Sequence, residues 1–227
     1  NSSAKIIGGF QNRYKGIIEN IQDISNSELG GPPVMISVSG GAAGIVTNGI
    51  HLLDLAISIF GSEPISVISD LSSSDINPRS KDLDFWEGSS SWGFSDKRKF
   101  SINFTNLSSV KQTTEVFCLN GKIKINEDMS LDIFKRDQQE VISDNRVIRL
   151  GAATKTTDLS IKPNDEDLYL NIFTALLDED QNLMELEREL VATRAMIYGL
   201  ISNRLGRKLV IGDEIEESLY NFEWDIS

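Results

Sequence analysis

The sequence predicts an α+β domain: an open, mainly antiparallel β-sheet with helices on one face. Three observations predict it. Between Trp92 and about Leu150 the segments alternate or carry β-branched and aromatic residues, as half-buried strands do. Short turns join these segments, which suits antiparallel neighbours. Helical periodicity is confined to the flanks of that region, so the helices gather on one side and cover one sheet face.

From the start of the chain, "KIIGGF" at Lys5 to Phe10 reads as a short buried strand. "RYKGIIENIQDIS" then sets Tyr14, Ile17, Ile18, Ile21 and Ile24 at helical spacing. "SELGGPP" ends that helix, because paired glycines and prolines cannot continue it. "VMISVSG" is a strand. "GIHLLDLAISIFG" is a helix closed by Gly61. "ISVISDLSS" is a strand, and the polar stretch Ser72 to Gly88 reads as a loop.

"SSWGFS", "KFSINFT", "KQTTEVFCL" and "GKIKIN" follow as strands, with Asn120 and Gly121 marking a hairpin. "SLDIFKRD" and "NRVIRLG" extend the series, and Gly151 to Pro163 reads as a loop. The last third turns helical. "DEDLYLNIFTALLDED" is one helix. "NLMELERELVATRAMIYGLISNRLG" is a long one, with Asn182 and Glu185 as a capping box and Gly206 after its end. "RKLVIG" is a short strand, and the tail with Tyr220, Phe222 and Trp224 is expected to dock on the body. Residues 1–227 read as a single domain.

Composition narrows the function. A net charge of −12 argues against nucleic acid, whose phosphates call for clustered Lys and Arg. The basic run at Asp96 to Lys99 reads as a solvated turn. One cysteine, Cys118, allows no intrachain disulfide, so a reducing, cytoplasmic setting is expected. It lies between Phe117 and Leu119 and reads as a small buried hydrophobe rather than a nucleophile. One histidine and one cysteine cannot build a His/Cys zinc cage, and no metal site is expected. No apolar run reaches the roughly 20 residues a membrane span needs. The chain starts at Asn1 and is expected to be a processed or excised part of something longer.

The stretch Val38 to Gly61 holds the single histidine, His51, and a glycine cluster at Gly40, Gly41 and Gly44. Strand, glycines, helix and a later acid at Asp70 outline a dinucleotide-binding unit. The details fail. The order is G-G-A-A-G instead of G-x-G-x-x-G, Ile45 to Asn48 separate the glycines from the helix, and Asp70 comes too late. The helix is otherwise apolar almost all round, with His51, Asp54 and Ser58 as exceptions. At about 100° per residue these fall within roughly 60° of arc, with Thr47 joining them if it continues the turn. Such a stripe either faces a cavity or is satisfied inside the core, for example by a His51–Asp54 hydrogen bond.

"TNGIHLLDLAISIFG" resembles the D-x-G-x-H-x-x-D signature of the C-terminal domain of the Gfo/Idh/MocA oxidoreductases (glucose–fructose oxidoreductase, inositol dehydrogenase and relatives). Gly49, His51 and Asp54 match in register. "GGFQNRYKGIIENIQDISNSELGGPPVMISVSG" is similar to the family's opening strand, helix and turn. "TEVFCLNGKIKIN" is similar to its hairpin, and "RAMIYGLISNRLGRKLVI" to its closing helix and strand. The pieces cover nearly the whole chain, and their order is more specific than any one of them.

The resemblance implies a domain that binds substrate and drives oligomerisation. The whole protein would be an NAD(P)-dependent oxidoreductase acting on a sugar, cyclitol or sugar-derivative hydroxyl. It implies a homodimer or homotetramer built on the open sheet face. NAD or NADP would sit on a Rossmann domain that this chain lacks, so the chain alone should neither bind the cofactor nor turn over. The family's E-K-P motif is also missing, since "IKP" at Ile161 to Pro163 lacks the glutamate and comes too late.

The implied catalytic residue is His51, as a base for the hydroxyl proton; histidine in water titrates near 6.5, suited to that task. Asp54 would orient its ring or hold a neighbouring group. Arg13 and Tyr14, with Thr47, Asn48 and Asp54, are the implied substrate contacts. Thr47 departs from the family's usual aspartate: a threonine can hydrogen-bond a hydroxyl but carries no charge. That departure keeps a second reading open, a non-catalytic sugar-binding or oligomerisation module of the same fold.

Overall fold

The computed structural model describes residues 10–14, 16–41, 43–74, 85–136, 151, 153–156, 165–177 and 179–220. The expected strand over 5–10, the segment "NRVIRLG" and the aromatic tail after Tyr220 lie outside these residues, except for Phe10 and Gly151.

A 3-10 turn, Gln11–Tyr14, leads into α1, Ile17–Glu28. Ile17, Ile18, Ile21 and Ile24 are all buried, as their spacing predicts. Leu29 caps α1, and Gly30 and Gly31 turn the chain with positive φ. Strand β1, Met35–Gly41, follows, then α2, Gly49–Phe60, closed by Gly61 at φ 62. The Arg98 guanidinium adds a second closure: its Nη1 donates to the Phe60 carbonyl at 2.7 Å and its Nη2 to Ser62 Oγ at 2.9 Å.

The strands continue as β2 (Pro64–Ser74), β3 (Phe85–Phe94), β4 (Lys99–Thr105), β5 (Thr113–Cys118), β6 (Gly121–Ile125), β7 (Leu131–Arg136) and β8 (Ala153–Thr156). Helices α3 (Asp165–Leu177) and α4 (Glu179–Leu205), strand β9 (Leu209–Val210) and the short α5 (Glu217–Tyr220) complete the described chain.

Three local expectations are corrected. Ser72–Ser74 and Phe85–Gly88 are not loop but the paired ends of β2 and β3. Residues 153–156 form an edge strand on β7; their side chains are polar on both faces, so no alternation betrayed them. Asn182 does not cap the long helix, which already runs from Glu179.

The sheet has nine strands in the order β8-β7-β6-β5-β1-β4-β3-β2-β9. Its described pairings are antiparallel except β1 with β4. The chain thus has the expected α+β architecture. One face carries Ile36, Val38, Trp92, Phe100, Ile102, Val116, Ile123 and Ile133, each fully or almost fully buried. Trp92 ties this face to α4, its Nε1 donating to the Ala195 carbonyl at 3.1 Å. The short β9 pairs only with Ser66 and Val67 of β2. Beyond it, side chains of α4 take over the open edge. Ser69 N–H donates to Ser202 Oγ at 3.2 Å and Leu71 N–H to Asn203 Oδ1 at 2.7 Å, which satisfies amides that would otherwise template another strand.

The other face is mixed: Met35, Phe117 and Phe134 flank Lys122 on one row, and Ile68 stands exposed beside Ser91. Ser91, Ser101, Ser37, Glu115 and Lys124 lie side by side across β3, β4, β1, β5 and β6.

Candidate functional site

The glycine cluster follows from packing. Gly40 and Gly41 end β1 where the segment after β4 crosses it. A side chain on Gly40 would overlap the Gln112 backbone, and one on Gly41 would overlap the Ser108 carbonyl. Gly41 N–H is spent on the Val110 carbonyl at 2.8 Å. These glycines allow two backbones to touch, and α2 begins only at Gly49.

The polar stripe of α2 splits in three. Asp54 is wholly buried, His51 is exposed, and Ser58 is half-buried. Asp54 does not pair with His51. It accepts both arms of the Arg13 guanidinium, Nε at 2.9 Å and Nη2 on the other oxygen. The Arg13 side chain is 4% exposed, so the fork is a desolvated, charge-assisted pair that pins the 3-10 turn to α2.

Phe10 joins this pair to the histidine. Its ring meets His51 edge-on at 5.1 Å between centroids and lies 5.4 Å from the Arg13 guanidinium carbon. The imidazole is therefore steered by an aromatic contact and open to solvent. A residue placed this way can exchange a proton with a ligand.

The other predicted contacts differ in what the structure makes of them. Thr47 stands in the turn before α2. Its hydroxyl is buried beside Gly44 and has no hydrogen-bond partner among the described residues. Asn48 precedes α2 at the cap position but makes no side-chain cap bond. Tyr14 belongs to the 3-10 turn, and its side chain lies outside the described residues.

Sequence reasoning missed the hollow beside this helix. A cavity of about 370 Å³ has an apolar floor of Leu52, Leu55, Ile125 and Met129. Its rim carries Asn12, Lys111, Gln112, Asn126 and Glu127. Lys111 Nζ and Glu127 bridge two rim segments at 2.7 Å. Leu52 and Leu55 belong to the helix that carries His51, which is not itself among the residues lining the cavity. The rim residues come from turns remote from the motif, and only the polar run before β5 hinted at them.

No protein-family model matches the sequence, and no curated protein matches it significantly. Solved structures do match. An oxidoreductase from Agrobacterium radiobacter in complex with NAD+, L-tartaric acid and magnesium superposes with a TM-score of 0.57 at 14% identity, over 91% of this chain and 65% of that one. An NAD-binding protein from Listeria innocua gives 0.63 at 17% identity, over 90% and 66%. Levoglucosan dehydrogenase in complex with NADH and levoglucosan gives 0.58 at 13% identity, over 91% and 66%.

The chain has the Gfo/Idh/MocA C-terminal domain fold. It spans just under two thirds of the length of the structures it matches. At these identities the likeness is one of fold, and the site rests on the geometry above. Among the described residues, no helix is long and apolar enough to cross a membrane.

Proposed function

We propose that the chain is the substrate-binding and oligomerisation domain of an NAD(P)-dependent oxidoreductase. The substrate is a sugar, a cyclitol or a sugar derivative, and His51 is the proton acceptor. The observation that carries this reading is the exposed histidine in contact with Phe10, on the helix whose Leu52 and Leu55 line a cavity with an apolar floor and an amide-rich rim. Carbohydrates present C–H faces and hydroxyls together, and such a cavity matches both. The solved neighbours that hold NAD+ with tartaric acid, or NADH with levoglucosan, lend the fold's precedent.

In this reading the substrate C–H faces rest on Leu52 and Leu55, and hydroxyls meet Asn12, Gln112 and Asn126. His51 takes the proton of the reacting hydroxyl as its carbon is oxidised. The buried Arg13–Asp54 fork acts as a positioning pair that holds the 3-10 turn, and with it Phe10, against α2. Bound NAD(P)+ would supply the hydride acceptor. In this reading it sits on a Rossmann domain in the full-length protein, and the 227 residues alone neither bind it nor turn over. The protein works in the cytoplasm as a homodimer or homotetramer assembled through the open sheet face.

The test is a panel of cyclitols, aldoses and anhydrosugars with the full-length protein, read by NAD(P)H absorbance. Reduction of the cofactor by one class is expected. Sugar binding with no reduction by any of them would favour the non-catalytic module, to which Thr47 in place of aspartate lends some support.

A further inference from the structure

We propose that the outward face of α3 is the docking surface for the nucleotide-binding domain, an inference that rests on the two-domain reading above. From Leu168 to Leu177 the helix carries no charged side chain, in a chain whose net charge is −12. Leu168 points inward and is buried at 8% exposure. On the opposite side Tyr169, Leu170 and Phe173 are 67%, 64% and 61% exposed. At about 100° per residue the three fall within an arc of roughly 100°. The exposed polar residues of this stretch, Asn171 and Thr174, lie off that arc. Single exposed leucines need no explanation, but two aromatics and a leucine on one face do.

The position of α3 selects the occupant. It packs against the 3-10 turn Gln11–Tyr14, whose Arg13 holds Asp54 and shares Phe10 with His51. The bare face therefore stands at the His51 end of the domain, where a domain delivering a dinucleotide has to approach. The matched NAD-binding structures exceed this chain by about a third of their length, 65–66% of each being covered. A second copy of the chain is the competing occupant, but the open sheet face, on the side of the sheet away from the helices, is the surface proposed for it.

The test uses the full-length protein. Hydroxyl-radical labelling reads Tyr169 and Phe173 against Leu107, which is 97% exposed, while calorimetry with NAD+ and NADP+ reads cofactor binding. Cofactor binding with both aromatics protected several-fold, unchanged on dilution, is the expected result. Binding with Tyr169 and Phe173 labelled at the rate of a free side chain would overturn the docking face and leave the two-domain reading standing. Protection that disappears on dilution would assign the face to a second copy and overturn the proposal. Absence of cofactor binding would remove the reading itself, and the proposal with it.

Discussion

Arg13 and Asp54 show what a residue pattern reveals and what it hides. Helical spacing placed Asp54 on the same stripe as His51, and the resemblance implied Arg13 as a substrate contact. Spacing gives the face of a helix but not the partner across from it, and that partner is 41 positions away in sequence. Removing one member strands a buried charge, which costs about 3–5 kcal/mol. Arg13→Ala should accordingly lower the thermal midpoint by many degrees, and a melt within a degree or two of the parent would contradict the buried fork. Cys118 behaved as its neighbours suggested. It is buried beside Ser25, and burial pushes its thiol up, with the Ser25 hydrogen bond partly offsetting that.

At the scale of elements, the segments with clear periodicity were legible: α1, β1, α2, β4 to β7 and the long α4. Their signals come from burial on one face, which local sequence records directly. Those that failed lacked such a face. Residues 153–156 pair only along β7, and the Ser-rich end of β2 is held by its ladder to β3, where Phe85 is buried and Trp86 packs on the core. The Asn-Gly signal found the right hairpin for another reason. The turn is Leu119–Asn120, while Gly121 opens β6 where a side chain would overlap the Phe134 carbonyl. Gly40 and Gly41 are the same kind of residue. Gly41→Ala should destabilise by roughly 1–3 kcal/mol, the range for overpacking, as read in a denaturant titration. A neutral alanine there would mean that the strand end and the segment after β4 are not in contact, and would reopen the glycines as a ligand loop.

For the whole molecule, the expectation that one sheet face needs cover meets a face lined by Ser37, Ser91, Ser101, Glu115 and Lys124. The same face also presents Met35, Ile68, Phe117 and Phe134, so an interface there would bury apolar side chains beside the polar row. Light scattering of the chain at tens of micromolar should return at least a dimer, and a monomer would remove the open face as an interface.

The catalytic half of the account depends on His51. Because Asp54 is satisfied by Arg13, replacing the histidine leaves no buried charge behind. The folded state loses only an edge contact with Phe10, worth about 0.5–1.5 kcal/mol. The most direct measurement is a steady-state assay beside a thermal melt on one preparation of full-length His51→Asn. Turnover should fall by roughly 100-fold or more, the usual share of a positioned base, while the melt moves by a few degrees at most. An unchanged rate per folded molecule would contradict the assignment of His51 as the proton acceptor.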